Sequence, residues 1–487
     1  MSKKGITAKK NEDFSEWYTQ VCSPEGAGLA DNRYDVKGAI VHLPWGYKIA
    51  RNVYRLLEEK VEEQGHEPFL FPVFTHKRNL DREEEHSGFA PEVFWVTEAG
   101  SNELDVPLAL RPTGETQIYP MYSKWLRSHG QLPMKYYQSR HMAYRYETHS
   151  RPFLRGREFM FFETHNMFET HEEAEQSIHN DLDLINEVMG NKLHLPFKFF
   201  KRPSWDAFLG ANATYVADTI MPDGKRNQMS STHDLGTNFA EAFDVTYADE
   251  EGEQQHPFQT CFGPGIWRII ASIIGIHGDD TGLILPLSVA PKDVVITPIL
   301  FDDTEVNNKI LDISKSIKDD LDAYNVVIDD SDKHPGWKFN QWEMKGVPHR
   351  IEIGPRDVEN EEAVIASRFG GKRSVPITEV PTALHEERRK YSEAMEERSK
   401  TYVKNRTMTA TSLDEVREGI EQGTGFVKAP FLDIDGEAAQ KAADRLQEEV
   451  PGAQVCGVEI DAKRGTDEAC IVTGEPAQHW VYIAKSY

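Results

Sequence analysis

The chain is poor in cysteine. Its four cysteines (Cys22, Cys261, Cys456 and Cys470) form no C-x-x-C pair in 487 residues. That excludes a disulfide-built scaffold and fits a reducing compartment, so a cytoplasmic location is expected. Long apolar runs are also missing. The best candidate, Ile266 to Ile276, is interrupted by Arg268 and falls short of the ~18 residues that span a bilayer. No apolar segment follows the basic start Met1–Lys10, so neither a secretory leader nor a membrane partner is expected. Positive charge is scarce: 55 Lys and Arg face 80 Asp and Glu, a net charge of −25. Indiscriminate nucleic-acid binding is therefore disfavoured, although a local basic face is not. No internal repeat or low-complexity tract is present. What remains is 39% hydrophobic and 10% aromatic residues, enough for packed cores and too much for a disordered chain. The length is roughly three times a usual domain, so a single core is not expected.

Three units can be read from texture: 1–290, 291–400 and 401–487. The first is mixed α/β. Ile49, Val53, Leu56, Leu57 and Val61 recur at helical spacing between Tyr47 and Gln64, with Gly65 as the stop. Pro68 to Phe74 follows with strand character, but Pro72 cannot donate to a ladder and confines it to an edge. An apolar edge beside an amphipathic helix suggests pairing with a second copy of the chain; an edge merely covered by a loop fits the pattern equally well. Met134–Arg145 and Arg157–Phe168 read as strands around a charged loop, and Cys261–Ile276 as strand, Gly-rich turn and apolar helix. Beyond Pro286, strands alternate with helices, implying a small α/β unit. A charged helix from Pro381 to about Asn405 connects it to a last α+β unit.

Chemistry concentrates in two places. In Arg145-Tyr-Glu147, alternation along a strand points guanidinium and carboxylate the same way. Arg can hold a phosphate oxygen bidentately and Glu can accept from an exocyclic amine. The loop behind them carries Arg151, Arg155 and Arg157, a flexible basic connection able to close over a triphosphate. In Gly263-Pro-Gly-Ile-Trp-Arg268, glycines permit a tight turn and Arg268 falls in the first turn of the apolar helix. Taken singly, R-x-E is an ordinary surface ion pair and the second string an ordinary strand-to-helix turn.

Together, and in this order, they resemble the three motifs of class II aminoacyl-tRNA synthetases. Within that class the chain resembles the prolyl-tRNA synthetases of archaeal and eukaryotic-like type, over essentially its whole length. The strings that carry the resemblance include Leu110-Arg-Pro-Thr-Gly-Glu-Thr116, Pro152-Phe-Leu-Arg-Gly-Arg-Glu-Phe159 and Thr232-His-Asp-Leu-Gly-Thr-Asn-Phe239. His277-Gly-Asp-Asp-Thr-Gly-Leu283, Pro335-Gly-Trp-Lys-Phe-Asn340 and Ile483-Ala-Lys-Ser-Tyr487 extend it. The implied fold is an antiparallel-sheet catalytic domain, an α/β anticodon-binding domain and a small α+β C-terminal domain, assembled as a homodimer. The implied reaction joins L-proline to ATP and passes the prolyl group to the 3′ end of tRNA(Pro), with Mg²⁺.

The resemblance also implies roles. Thr113 and Glu115 would hold the proline amine, although Thr113 could instead cap a helix starting near Glu115. Arg145 would bind the α-phosphate and the amino-acid carboxylate, Glu147 the adenine, and Arg155 and Arg268 the outer phosphates. Gln228, Ser231 and His233 match positions that meet nucleotide, magnesium and proline; His233 alone would read as a structural histidine. Arg145 and Arg268 are the expected catalytic pair, and Tyr487 is expected to lie towards them. Between Lys333 and Arg373 eight basic residues face six acidic ones. Trp337, Phe339 and Trp342 interleave there with Lys338, Lys345 and Arg356, suiting unpaired bases and phosphates of a tRNA loop.

Some features depart from the family. Ala429-Pro-Phe-Leu-Asp-Ile-Asp-Gly436 has no cysteine where relatives place a zinc pair, and Thr473 stands where the partner of Cys470 is expected; neither zinc nor another resident metal is expected. The third motif differs from W-G-x-x-T-R. No inserted editing module lies between His165 and Gly263. Two other functions compete: a paralogue that has lost catalysis, which retention of Arg145, Glu147 and Arg268 opposes, and a class II enzyme for another substrate, which the T-x-E loop opposes.

Overall fold

The computed structural model describes residues 5–87 and 92–487; the first four residues of the basic start lie outside them. Among the described residues, eleven strands form one sheet. Its catalytic half runs from Lys198–Lys201 through Ala213–Ile220, Lys225–Gly236, Phe258–Pro264 and Glu158–Phe168 to Met134–Tyr144, with Glu67–Pro68 at the edge. Neighbours within the six-strand run pair antiparallel, and the edge strand pairs parallel. The other half consists of Gln454–Glu459, His479–Ser486, Phe426–Phe431 and Thr407–Thr409, so C-terminal strands continue the same sheet. The join is Val458 opposite Lys201 and Glu459 opposite Phe200. Residues 68–74, expected as one strand, form only Glu67–Pro68 and Phe74–His76. Proline at 68 and 72 removes two donors, and Leu70 between them is 78% exposed.

Helices cover one face. Pro44–Glu63 starts with proline in its first turn, where a missing N–H costs nothing. It buries Ile49, Val53, Leu56, Leu57 and Val61, and Gly65 ends it at φ 85°. Ile266–Ser272 buries every residue except Arg268, with Ile266, Ile269 and Ile270 fully enclosed. Each such side chain contributes about 1.5–3 kcal/mol relative to exposure. This anchored helix therefore holds Arg268 at a fixed position.

The 294–376 region is a five-stranded sheet ordered Val326–Ile328, Val294–Pro298, His349–Ile353, Glu362–Ser367, Lys372–Pro376. The sequence reading missed its last strand, which is mostly exposed and charged. The His277–Leu283 string docks this unit: Arg368 grips Asp279 at 2.9 and 2.6 Å. The charged helix, Val380–Tyr402, buries Tyr391 and Met395 and fastens Tyr391 to the Leu285 carbonyl at 3.0 Å.

Asp181, on the His171–Ile185 helix, is fully buried beneath the sheet, with a 3.4 Å bond from Thr232 Oγ1 as its contact. Burial pushes its carboxyl well above the usual range. The folded state therefore keeps a proton that the unfolded chain releases above its own carboxylate pKa, so the group lowers stability as pH rises. Asp181→Asn is expected to raise the melting temperature at pH 7.5 by about 2 °C or more, with the gain shrinking towards pH 4. A gain that grew on acidification would contradict a neutral Asp181.

Candidate active site

Directly opposed residues on antiparallel strands share a face. Pairing places Tyr136, His165, Cys261, His233 and Thr214 in one row across five strands. One step along, Gln138 faces Glu163, and Gly263 faces Ser231 and then Val216. A bulge at Met229 lets Asp218 pair with Gln228 while Ala217 pairs with Ser230. That extra residue keeps Gln228 on the same face as Ser231. Gln228 is accordingly exposed, whereas Met229 and Ser230 are buried.

Two cavities open on this face. One, of about 240 Å³, is lined by Arg145, Glu147, Arg155, Phe159, Trp267 and Arg268. The other, of about 360 Å³, is lined by Arg226, Gln228, Ser231, Gly263, Arg268 and Tyr487. They share Phe161, Gly265 and Arg268. Arg268 Nη1 donates to Asn227 Oδ1 at 2.9 Å. Burial, with repulsion from Arg155, lowers its pKa to about 10, so it stays cationic at neutral pH. Arg145 lies just past the Met134–Tyr144 strand and is exposed; Glu147 pairs with Arg155 at 3.5 Å.

The loop between the two strands is tethered, contrary to the flexible connection expected from its charges. Phe153 is buried against Trp267 and His42. Arg151 stacks on Tyr18 at 4.8 Å and bonds the Ser15 carbonyl, while Arg157 stacks on Tyr146 at 4.7 Å. Of the three arginines only Arg155 lines the cavity. It also donates to the Tyr487 backbone oxygen, and the Tyr487 hydroxyl donates to Asp223 at 2.7 Å.

Deeper in the face sits a polar cluster that sequence reasoning only half found. Helix Glu115–Trp125 begins at Glu115, with Gly114 rather than Thr113 in the capping position. A Cβ at Gly114 would come within 2.4 Å of Glu163 Oε1, so only glycine lets the loop approach. Glu115 is buried and is not among the residues lining either cavity. It accepts a side-chain bond from Thr113 and meets the Cys261 thiol at 3.9 Å, and its Oε2 has no partner. Burial, opposed by His165 and reinforced by Glu163, raises its carboxyl above the ordinary value. Glu163 behaves oppositely. Burial would raise it, but His165 and His141 hold it below the carboxylate range, and Gln138 donates to it at 2.7 Å. Glu163 and His165 were missed; the signal available was a Phe-x-Glu-x-His alternation inside a strand otherwise buried.

Glu115, His165 and Cys261 could supply three metal ligands, lying within 4.8 Å of one another. Both His165 nitrogens are already engaged, however, by Glu163 at 3.0 Å and the Tyr119 hydroxyl at 3.1 Å. An unpartnered carboxylate oxygen beside a neutral thiol suits an ammonium better than a metal. His233 is also fully engaged: its Nδ1 is hydrogen-bonded to the Thr214 hydroxyl, whose oxygen accepts from the Phe208 N–H at 2.9 Å, and its Nε2 to the Ser231 hydroxyl, each ring contact at 3.0 Å. Burial next to His165 lowers its pKa to about 3, so it is a neutral support for Ser231.

The expected RNA-binding residues divide. Lys338 is corrected: it is 2% exposed and its ammonium bonds the Asp329 carbonyl at 2.9 Å, an internal tie rather than a phosphate contact. Lys345 lies between Trp45 and Trp342, 5.4 and 5.0 Å from their rings, joining two units. Phe339 is covered by Arg350 and Lys372. Trp337 and Arg356 are exposed.

The family description "tRNA synthetase class II core domain (G, H, P, S and T)" matches residues 94–277, "Anticodon binding domain" residues 293–387, and "Prolyl-tRNA synthetase, C-terminal" residues 413–487. The chain is 46% identical to the proline–tRNA ligase of Thermofilum pendens over 100% of both chains, and 40% identical to that of Methanococcoides burtonii over 99% of both. The structure of Giardia lamblia prolyl-tRNA synthetase in complex with prolyl-adenylate superposes with a TM-score of 0.94 at 33% identity, covering 99% of this chain and 100% of that one. The chain therefore belongs to the proline–tRNA ligase family of class II aminoacyl-tRNA synthetases.

Proposed function

We infer that the chain activates L-proline with ATP and transfers the prolyl group to the 3′ end of tRNA(Pro). The observation that carries the proline assignment is the unpartnered, buried Glu115 oxygen beside Thr113. A cyclic secondary ammonium brings two N–H donors, which match that oxygen and the Thr113 hydroxyl. The triphosphate reading rests on Arg145, Arg155 and Arg268 around one cavity, with Glu147 among them for the adenine amine.

Proline's carboxylate is already a nucleophile, so activation needs no general base. It attacks the α-phosphorus in line and pyrophosphate leaves. Arg145 would hold both reacting groups, while Arg268 and Arg155 would offset charge developing on the phosphoryl oxygens. Glu147 is the one acidic side chain among the residues lining the two cavities, which fits Mg²⁺ carried on the triphosphate rather than caged by protein. When bound, Mg²⁺ supplies further charge neutralisation of the phosphates. Trp337 and Arg356 would meet the tRNA. The division into 1–290, 291–400 and 401–487, cytoplasmic location and pairing of two copies through the face carrying Leu70, Phe74 and Trp95 complete the proposal.

Proline-dependent pyrophosphate exchange, run with each of the twenty amino acids, tests the assignment. Proline is expected to dominate. Exchange driven better by another amino acid, or none with any, would refute it.

A further inference from the structure

We propose that Arg202 is a positioning residue for the nucleotide site: it fixes the side-chain amide of Gln228 with its NH2 group towards the cleft, and it ties that orientation to the C-terminal unit. Arg202 follows the Lys198–Lys201 strand and is 3% exposed. Its Nη2 donates to Gln228 Oε1 at 2.8 Å and to Asp218 Oδ1 at 3.1 Å. Its Nη1 donates to the Cys456 carbonyl at 2.6 Å and lies 2.9 Å from Asp218 Oδ2. A guanidinium has only donors, so the Gln228 atom that meets it is the carbonyl oxygen. The amide nitrogen is then the end left for the second cavity, beside Arg268. Gln228 thus offers N–H donors to an acceptor oxygen, such as a phosphoryl or ribose oxygen, and not an acceptor to an amine.

The anchor is shared with a second arginine. Arg226 Nε donates to Ser486 Oγ at 3.0 Å, and its Nη1 lies 3.6 Å from Asp218 Oδ2. One buried carboxylate therefore faces two guanidiniums, each reaching a different C-terminal strand. Cys456 belongs to Gln454–Glu459 and Ser486 to His479–Ser486. By this route the C-terminal unit, whose Tyr487 also lines that cavity, sets the orientation of Gln228 on one wall of the nucleotide pocket. Lysine at 202 would keep a charge for Asp218 but could not span carbonyl, carboxylate and amide at once.

The proposal rests on the reading of the cleft as an ATP site, and a double-mutant cycle in pyrophosphate exchange separates the two. Q228M is expected to raise the KM for ATP about tenfold, the worth of one hydrogen bond to a charged group. The KM for proline should stay within threefold. R202K should raise the ATP KM in the same way, and the double variant should be no worse than Q228M alone. If the R202K effect persists in full on top of Q228M, or the proline KM rises in parallel, Arg202 acts on structure generally and the proposal fails. If Q228M leaves the ATP KM unchanged, Gln228 is no nucleotide contact and the proposal fails with it, while the Arg268 cavity still stands to be judged by its own variant. Should R202K not fold, R202M combined with D218N removes guanidinium and carboxylate together and completes the same cycle.

Discussion

Replacing Arg268 with alanine should slow adenylate formation by about 10²–10³-fold, the loss that follows removal of one preorganised transition-state donor. Arg268 forms part of the wall between both cavities, so it is the one cation able to act on phosphoryl groups in either. Its place is fixed from behind by the Asn227 bond at 2.9 Å and by a helix whose other residues are all buried. That rigidity is what lets a dipole or charge stabilise a transition state without reorganising. Arg268→Lys should recover activity only partly, because an ammonium cannot bond Asn227 and two phosphoryl oxygens in a plane. Proline-dependent pyrophosphate exchange, with thermal melts to verify folding, gives the measurement. A rate within threefold of the parent would remove Arg268 from the chemistry.

Glu115→Gln should raise the KM for proline about thirtyfold or more while leaving the KM for ATP within threefold. Separating a buried hydrogen-bonded charge pair costs about 2–5 kcal/mol, and glutamine keeps the shape while losing the charge. The pH profile carries a second signature. Burial raises the Glu115 carboxyl, so it takes up a proton at a higher pH than an exposed glutamate. Proline affinity should fall as pH drops through that raised value and be retained above it. Glu163 beside it is held charged by His165 and His141, and Cys261 is kept protonated by burial. His165, itself raised by Glu163 against the lowering effect of burial, is the other group that titrates there. In Glu115→Gln the acid limb attributable to Glu115 should disappear. An acid limb unchanged in the variant would place proline's amine elsewhere.

Much of this architecture was legible because local rules agreed. The Pro44–Glu63 helix announced itself by spacing, and the strands flanking the arginine loop by alternation and by the charged turn between them. Arg145, Glu147 and Arg268 could be picked out only through the order of motifs that resembles the class II synthetases, since each string taken singly is ordinary. What stayed hidden depends on contacts distant in sequence. Glu163 and His165 look like ordinary strand polar residues until Gly114 comes within reach of Glu163 across 49 positions. Lys338 and Lys345 were expected to meet RNA phosphates, yet Lys338 is buried against Asp329 and Lys345 lies half-buried between two tryptophans. Lysine's long stem makes this hard to foresee, since it can snorkel outwards or reach back. The Arg202–Asp218–Arg226 cluster was invisible for the same reason: its members are held by strands contributed from residues more than two hundred positions away.

The joining of the last strands to the catalytic sheet makes the tail something other than an appendage. A shortened protein ending before residue 454 would present the 198–201 ladder bare, with Phe200 losing its cover from Tyr482. Such an unpaired apolar margin invites self-association, so truncation would be expected to yield an insoluble fragment before it yielded a slower catalyst.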